Sequence, residues 1–348
     1  MAAAREHWSE RLQRFDRRWI FLVMAIAVVV PLFWPLGLPA KPDAMTKAAY
    51  NAVEALPTCQ INPATHQPVP GSPRCPRVFI SLDLDPASTP EIEPFYRAVV
   101  LHLKRKHAQL VIATTWYQAP PLVERYLRET IDVAIAPEGT AGYSGAPDRA
   151  YEKNLDYVNL GFRDGKQAII QQFGTDLRGA FDGRADDGTP LDRIPMMQGL
   201  NKLKDFDLIV LVSAGSPGAK EYVQFVGTRE KLPMIAACTA VSTTDLAPYF
   251  QTGQLVGLVG GMAGSAGYEN LVGKPGAGTA GADVLNIANL VVIAAIIFGN
   301  VVFFAGRAHR RRGGRSWRAW FRSRRADRPR RPSPGGSRGR MTPCPSTR

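Results

Sequence analysis

Residues 206–213 read FDLIVLVS. Five consecutive aliphatic residues stand between an aspartate and a serine, with no polar residue on alternate positions. A strand exposed on one face would alternate, whereas one buried on both faces reads as an unbroken Val/Ile/Leu run, the mark of a parallel sheet covered by helices. A helical pattern follows, from 217 to about 230.

The same unit recurs on either side. RVFISLD at 77–83 precedes helical spacing over 90–107, where Ile92, Phe95, Val99, Val100 and Leu103 fall on one face. QLVIATT at 109–115 precedes a helix over 120–130, and DYVNLGF at 156–162 precedes one over 165–173. PMIAACT at 233–239 leads to a helix over 243–250, and QLVGLVG at 254–260 is a sixth strand. Strands alternating with amphipathic helices predict an α/β fold: a Rossmann-like, mostly parallel sheet with helices on both faces, in one domain over 77–272. GTDLRGAFDGRADDGTPLDRIPMM at 174–197 reads as a solvated loop or, alternatively, a lid over the strand ends.

Two uncharged runs flank this domain. Residues 19–40 and 284–306 are 22 and 23 residues long, where a bilayer span needs about 20. Arg5, Arg11, Arg14, Arg17 and Arg18 precede the first; Arg307, Arg310, Arg311 and Arg312 follow the second. Basic residues beside a span stay in the cytoplasm. The expectation is therefore a two-pass protein of the inner (plasma) membrane with both termini, 1–18 and 307–348, cytoplasmic and the main domain extracytoplasmic. A cleaved signal would have a shorter apolar core and a small-x-small site, and Leu38-Pro39-Ala40 does not provide one.

Charge follows the same division. The chain carries 43 Lys+Arg against 30 Asp+Glu, a net of +13. The last 42 residues hold 15 Arg and one Asp, so the remainder sums to −1. A basic segment rich in Pro, Gly and Ser is expected to be disordered. Beside a span its expected partner is anionic lipid, not nucleic acid, whose binding domains carry positive charge on the folded surface. The other expected partners are the bilayer and, through the spans, further membrane proteins.

Cys59 and Cys75 bracket a Pro-rich stretch within the lead-in 41–76, and an oxidising compartment makes them a disulfide pair. A metal site of Cys59, His66 and Cys75 would lack a fourth ligand. Cys238 sits in the fifth strand as a small buried hydrophobe. The Gly-rich 273–283 is read as a tether into the second span.

In an open parallel sheet ligands bind outside the carboxyl ends of the strands. Those ends supply Asp83 and Asp85, then Thr115 and Trp116, then Ser213, Gly215 and Ser216, and finally Thr239 and Ser242. Many of these also suit helix capping: Ser88 with Glu91, Ser216 before Pro217, and Ser242 with Asp245 match helix-start signals. The spacing Asp83-x-Asp85 after an apolar strand resembles the motif of haloacid-dehalogenase phosphatases, except that Ala87 stands where that family has Thr or Val. The resemblance implies a metal-dependent hydrolase with Asp83 and Asp85 as its catalytic candidates and Mg²⁺ as its ion. No G-x-G-x-x-G follows the first strand and no phosphate-binding P-loop is present, so no cofactor is otherwise expected, and no metal. The leading expectation is a ligand- or partner-binding module.

VFISLDLDPAST (78–89), GTPLDRIPMMQGLNKLKDFDLIVLVSAG (188–215) and CTAVSTTDLAPYFQTGQLVGLVGG (238–261) resemble an uncharacterised family of two-pass prokaryotic membrane proteins. That resemblance implies the same topology and supplies no activity and no site residue.

Overall fold

The computed structural model describes residues 17–33, 37, 41–62, 69–141, 143 and 145–326. His66 and the chain beyond 326 lie outside the described residues. Met24–Asn289 is one compact unit, and the described parts of a second, residues 17–23 and 290–326, are helical.

In chain order the principal elements are α1 (Arg17–Phe33), α2 (Ala44–Glu54), β1 (Arg77–Asp83), α3 (Thr89–Arg105), β2 (Gln109–Thr114), α4 (Pro120–Tyr126), β3 (Tyr157–Phe162), α5 (Lys166–Thr175), α6 (Leu177–Ala180), β4 (Leu208–Ser213), α7 (Ala219–Tyr222), α8 (Thr228–Glu230), β5 (Met234–Cys238), α9 (Ala240–Gln251), β6 (Gly257–Gly260), α10 (Gly261–Val272) and α11 (Ala277–Ala326). A π-helical turn, Leu127–Ile131, extends α4, and another, Val223–Gly227, joins α7 to α8.

All six strands are parallel, in the order β3-β2-β1-β4-β5-β6. This is the doubly wound order of dinucleotide-binding sheets, with the reversal of strand order between β1 and β4. Asp83 and Ser213 are register partners at the carboxyl end of that pair.

The run that opened the sequence is buried at every position, because its side chains alternate between two cores. Leu208, Val210 and Val212 join Val78, Ile80 and Leu82 beneath α3 and α2. Ile209 and Leu211 join Phe79 on the other face, among Ile170, Phe173 and Tyr222. Phe79 packs edge-on to Phe173 and Phe206, with ring centroids 6.3 and 5.6 Å apart. Each such side chain contributes about 1.5–3 kcal/mol when fully buried.

Three departures from the sequence reading concern segments that carry much Gly, Pro or charge. The lead-in 41–76 is not irregular throughout. Asp43 caps α2 by accepting from Thr46 N at 2.7 Å, and Ala49 and Val53 on that helix are fully buried. The segment 174–197 is neither a solvated loop nor a lid: Leu177, Phe181, Leu191 and Met197 are fully buried in the second core, and Asp186 N donates to Asn159 O of β3 at 2.9 Å. The tether at 273–283 becomes helix from Ala277 onward. Gly278 of this segment and Gly267 of α10 stand where other parts of the chain approach closely. A Cβ on Gly278 would lie 3.0 Å from Pro94 Cβ, and one on Gly267 would lie 3.0 Å from Pro42 Cα.

Cys59 and Cys75 form a disulfide, and Cys238 is a buried free thiol. One helix among the described residues, Ala277–Ala305, is long and apolar enough to cross a membrane; Arg18–Pro31 is a shorter apolar helix.

Candidate functional site

The carboxyl ends of the strands carry two hollows that share Ser216. The larger, about 540 Å³, is walled by Trp116, Tyr117, Phe162 and Pro217, with Asp85, Asp164 and Lys166 among its polar residues. The smaller, about 200 Å³, lies over β4 and β5 between Ser213, Gly215, Ser242 and the side chains of Lys220, Glu221 and Asp245. Their place follows from topology. At a strand-order reversal the connections leave β1 and β4 toward opposite faces, and the gap between them is open.

The fold separates the two aspartates of the first strand end. Asp83 is 1% exposed. Its Oδ1 accepts from Thr115 N and Thr115 Oγ1, both at 2.7 Å, and its Oδ2 accepts from Ser81 Oγ at 2.5 Å. Ser81 Oγ is in turn 3.0 Å from the Tyr222 hydroxyl. Asp83 therefore locks the end of β1 to β2. Asp85, two residues on, lines the larger hollow and accepts from Ser88 N at 2.9 Å. The Ser88 side chain first, and then this backbone N–H, hold the Asp85 carboxyl below the usual carboxylate range. Among the described residues no group of three or more His, Cys, Asp or Glu could hold a metal ion. The Asp83 carboxylate is thus taken up by the chain's own donors, whereas Asp85 lines the hollow.

Burial pushes the Asp83 carboxyl up to about 6, against the hydrogen bonds from Ser81 and Thr115 that lower it. The unfolded value is about 3.9. Between those pH values the native state binds the extra proton, so this group makes stability fall as pH rises. His102 acts in the opposite sense. It is stacked on Tyr50, with its ring nitrogens 3.0 Å from Tyr268 Oη and 2.8 Å from Glu54 Oε2, and burial pushes it down to about 4. Here the unfolded chain binds the extra proton up to about pH 6.5, so stability rises with pH through that window. Asp83→Asn removes only the falling contribution. Unfolding midpoints of the variant should rise more steeply than those of wild type between about pH 4 and 6. Parallel pH profiles would show that Asp83 does not titrate there.

The remaining expected residues divide by role. Trp116 Nε1 donates to Pro217 O at 2.6 Å, which fixes the indole across the switch point. The loop after β4 lies against that ring at Gly215, where a Cβ would make an ordinary van der Waals contact of 3.5 Å with Trp116 Cη2. Ser216 Oγ donates to Glu221 Oε1 at 2.6 Å, and Gly218 N donates to the other oxygen at 2.8 Å, so Glu221 orders the loop before α7. Ser213 Oγ donates to Gly215 O at 3.0 Å. Thr115 is held by Asp83, and its residue lines the larger hollow. Thr239 is the N-cap of α9 and accepts from Ser242 N at 3.4 Å; it lines neither hollow, whereas Ser242 lines the smaller.

Capping differs from the expected pattern in three places. Ser88 makes no side-chain cap bond at the start of α3. Glu91 reaches instead to the neighbouring helix and accepts from Ala240 N, the first residue of α9, at 2.7 Å. Helix α7 begins at Ala219, capped from Gly218 and not from Ser216.

Phe162, Asp164 and Lys166 were not among the expected site residues, although Arg163-Asp164-Gly165-Lys166 follows β3 as the other polar stretches follow their strands. Gly165 (φ +142°) and Lys166 (φ +50°) take backbone conformations that favour glycine, and the sharp turn sets both charged residues at the hollow. No family model, curated protein or solved structure matches the chain, so the geometry of these strand ends is what bears on its function.

Proposed function

We propose that the chain is a two-pass membrane protein whose extracytoplasmic α/β domain is a ligand-binding module, sensing or assembling in response to what occupies the larger hollow. The observation that carries this reading is an open, aromatic-walled hollow of about 540 Å³ at the reversal of strand order. Its size falls within the range of small-molecule sites, and its position is where such sheets bind ligands. The inward-locked Asp83 favours binding over metal-dependent hydrolysis.

The apolar run of α11, the arginines beyond it and the disulfide are the supports for the topology. The second span is assigned to 19–40 on composition and flanking charge. Reporter fusions after Gly139 and after Arg312 are expected to fall on opposite sides of the membrane. Both on one side would reverse the assignment. The spans then offer contacts to other membrane proteins, and the basic tail contacts anionic lipid.

The binding reading is tested in native membranes with a photo-crosslinking residue at Tyr117, which is 75% exposed at the rim of the hollow. The control position is Arg229 in α8, which precedes β5 and so lies toward the amino ends of the strands, opposite the hollow. Adducts from 117 but not from 229 are expected, and Trp116→Ala should remove them. Equal labelling at both positions, or none at 117, would refute the module.

A further inference from the structure

The charged groups and aromatic walls of the hollow specify the sign of the charge it accepts. A helix N-terminus is the usual anion site of this fold, because its first N–H groups lack partners and the dipole favours negative charge. Here one N–H at each of four helix starts is already taken by a carboxylate of the chain itself. Ser88 N donates to Asp85 at 2.9 Å at the start of α3, and Gly165 N donates to Asp164 at 2.7 Å ahead of α5. Gly218 N donates to Glu221 at 2.8 Å, and Ala240 N donates to Glu91 at 2.7 Å. Four carboxylates therefore stand where a phosphate would bind, and like charge would repel it.

Three side-chain donors at the hollow are engaged as well, whereas Tyr117, Gln118 and Lys166, which also line it, keep donor capacity. The Thr115 hydroxyl donates to Asp83, the Ser216 hydroxyl donates to Glu221, and the Trp116 indole donates to Pro217 O. Formal charge and the aromatic walls, not a lack of donors, then set the preference: Asp85 and Asp164 stand against Lys166. An ionised carboxylate offers about four acceptor positions and a hydroxyl two. Asp164 uses one of its oxygens on Gly165 N, and it is exposed. The Ser216 and Thr115 hydroxyl oxygens keep lone pairs. Lys166 is the one basic side chain lining this hollow, against two carboxylates. Its other walls are the faces and edges of Trp116, Tyr117 and Phe162.

We infer that the hollow takes a small organic cation: a primary ammonium or guanidinium group carried on an apolar or aromatic stem. The stem packs among the three aromatic residues, and the charged head donates to Asp85, Asp164 and the hydroxyl oxygens. Charge-assisted bonds are the stronger kind, and an aromatic wall adds cation–π attraction. This rests on the hollow being the binding site.

Three probes of one size isolate the charge: phenethylammonium, 2-phenylethanol and phenylacetate, titrated calorimetrically into the full chain in detergent micelles. Phenethylammonium is expected to bind about tenfold more tightly than the alcohol, with phenylacetate weakest. Asp164→Asn, at an exposed position where the amide can still accept from Gly165 N, should reduce that preference to about twofold. Lys166→Glu should strengthen phenethylammonium binding by about fivefold, and a protein that merely misfolds cannot gain affinity. Equal binding of cation and alcohol would overturn the inference and leave the aromatic hollow as the site. Tighter binding of phenylacetate would overturn it outright. No binding of any probe, with crosslinking at Tyr117 intact, would also overturn it while the site stands; loss of both would remove the site too.

Discussion

Asp148→Ala should lower the thermal unfolding midpoint of the chain in detergent by about 10 °C, equivalent to about 3–5 kcal/mol for a domain of this size. Asp148 and Lys104 form an ion pair at 2.8 Å with both side chains fully enclosed. The ammonium also donates to Thr130 O at 3.0 Å and Val133 O at 2.7 Å, so its three protons are all used. The carboxylate accepts from Ile135 N at 3.0 Å and Ala136 N at 2.6 Å. The pair thus fastens the 132–152 loop beneath α3. Removing Asp148 leaves a buried ammonium without a counter-charge and two backbone donors without an acceptor. Lys104→Met should cost a similar amount. The double variant Lys104→Met/Asp148→Asn should be less destabilised than the two single changes together, because neither charge is then left alone. A loss below about 1 kcal/mol in each single variant would show that water or a neighbour already solvates the pair.

Glu269→Ala is expected to cost about 3–4 kcal/mol and to loosen the start of α11. Glu269 lies on α10 and is 4% exposed. Its carboxylate accepts from Gly276 N, Gly278 N and Thr279 N at 2.9, 2.9 and 2.8 Å, and from Thr279 Oγ1 at 2.8 Å. Those N–H groups are the ones the first turn of α11 cannot satisfy for itself. Gly276 precedes the helix and offers no capping side chain, so a carboxylate from another helix does the capping, with the dipole adding to the attraction. The amides of Gly278 and Thr279 should therefore exchange hydrogen with solvent much faster in Glu269→Ala. Glu269→Gln, which keeps the shape but loses the charge, should fall between. Unchanged exchange at these amides would show that the helix start is held by packing alone. β6 runs directly into α10, and α10 holds the first turn of α11, whose apolar run is long enough to cross a membrane.

The smaller effects belong to the same architecture. The opposed titrations of Asp83 and His102 both arise from burial, and each is read as a difference between a variant and wild type. The photo-crosslinking and reporter experiments do not depend on either.

How much of this was legible in advance depended on the kind of signal. All six strands were readable as short apolar runs, since a strand buried on both faces needs nothing but aliphatic residues. Their order was not readable, because order is decided by which crossovers pack, and crossover geometry leaves no local mark. Helix α2 was readable in principle: Asp43 precedes Ala49 and Val53, spaced four apart on one face. Proline on both sides obscured it. Helix α10 was hidden by its glycines, which suggested a flexible tether. Gly264 and Gly267 mark instead places of close approach, where a Cβ would lie 3.0 Å from Val259 Cγ1 of β6 and 3.0 Å from Pro42 Cα ahead of α2. Gly257 meets the backbone of Ala49, a contact in which only a missing Cβ fits.

The site followed the same division. The sequence by itself determined that polar residues end the strands, that Asp83 and Asp85 stand two apart, that the net positive charge resides after residue 306 and that Cys59 and Cys75 are close enough to pair. Only the tertiary structure decided that Asp83 turns inward to Thr115 and Ser81 while Asp85 lines the hollow. It likewise decided that Glu91 caps α9 and not its own helix, and that the β3 turn delivers Asp164 and Lys166 to the same place as Trp116. Composition and period are properties of neighbours in the chain. Which donor meets which acceptor depends on the packing of elements far apart in sequence, and the large majority of buried polar groups find a partner wherever that packing places them.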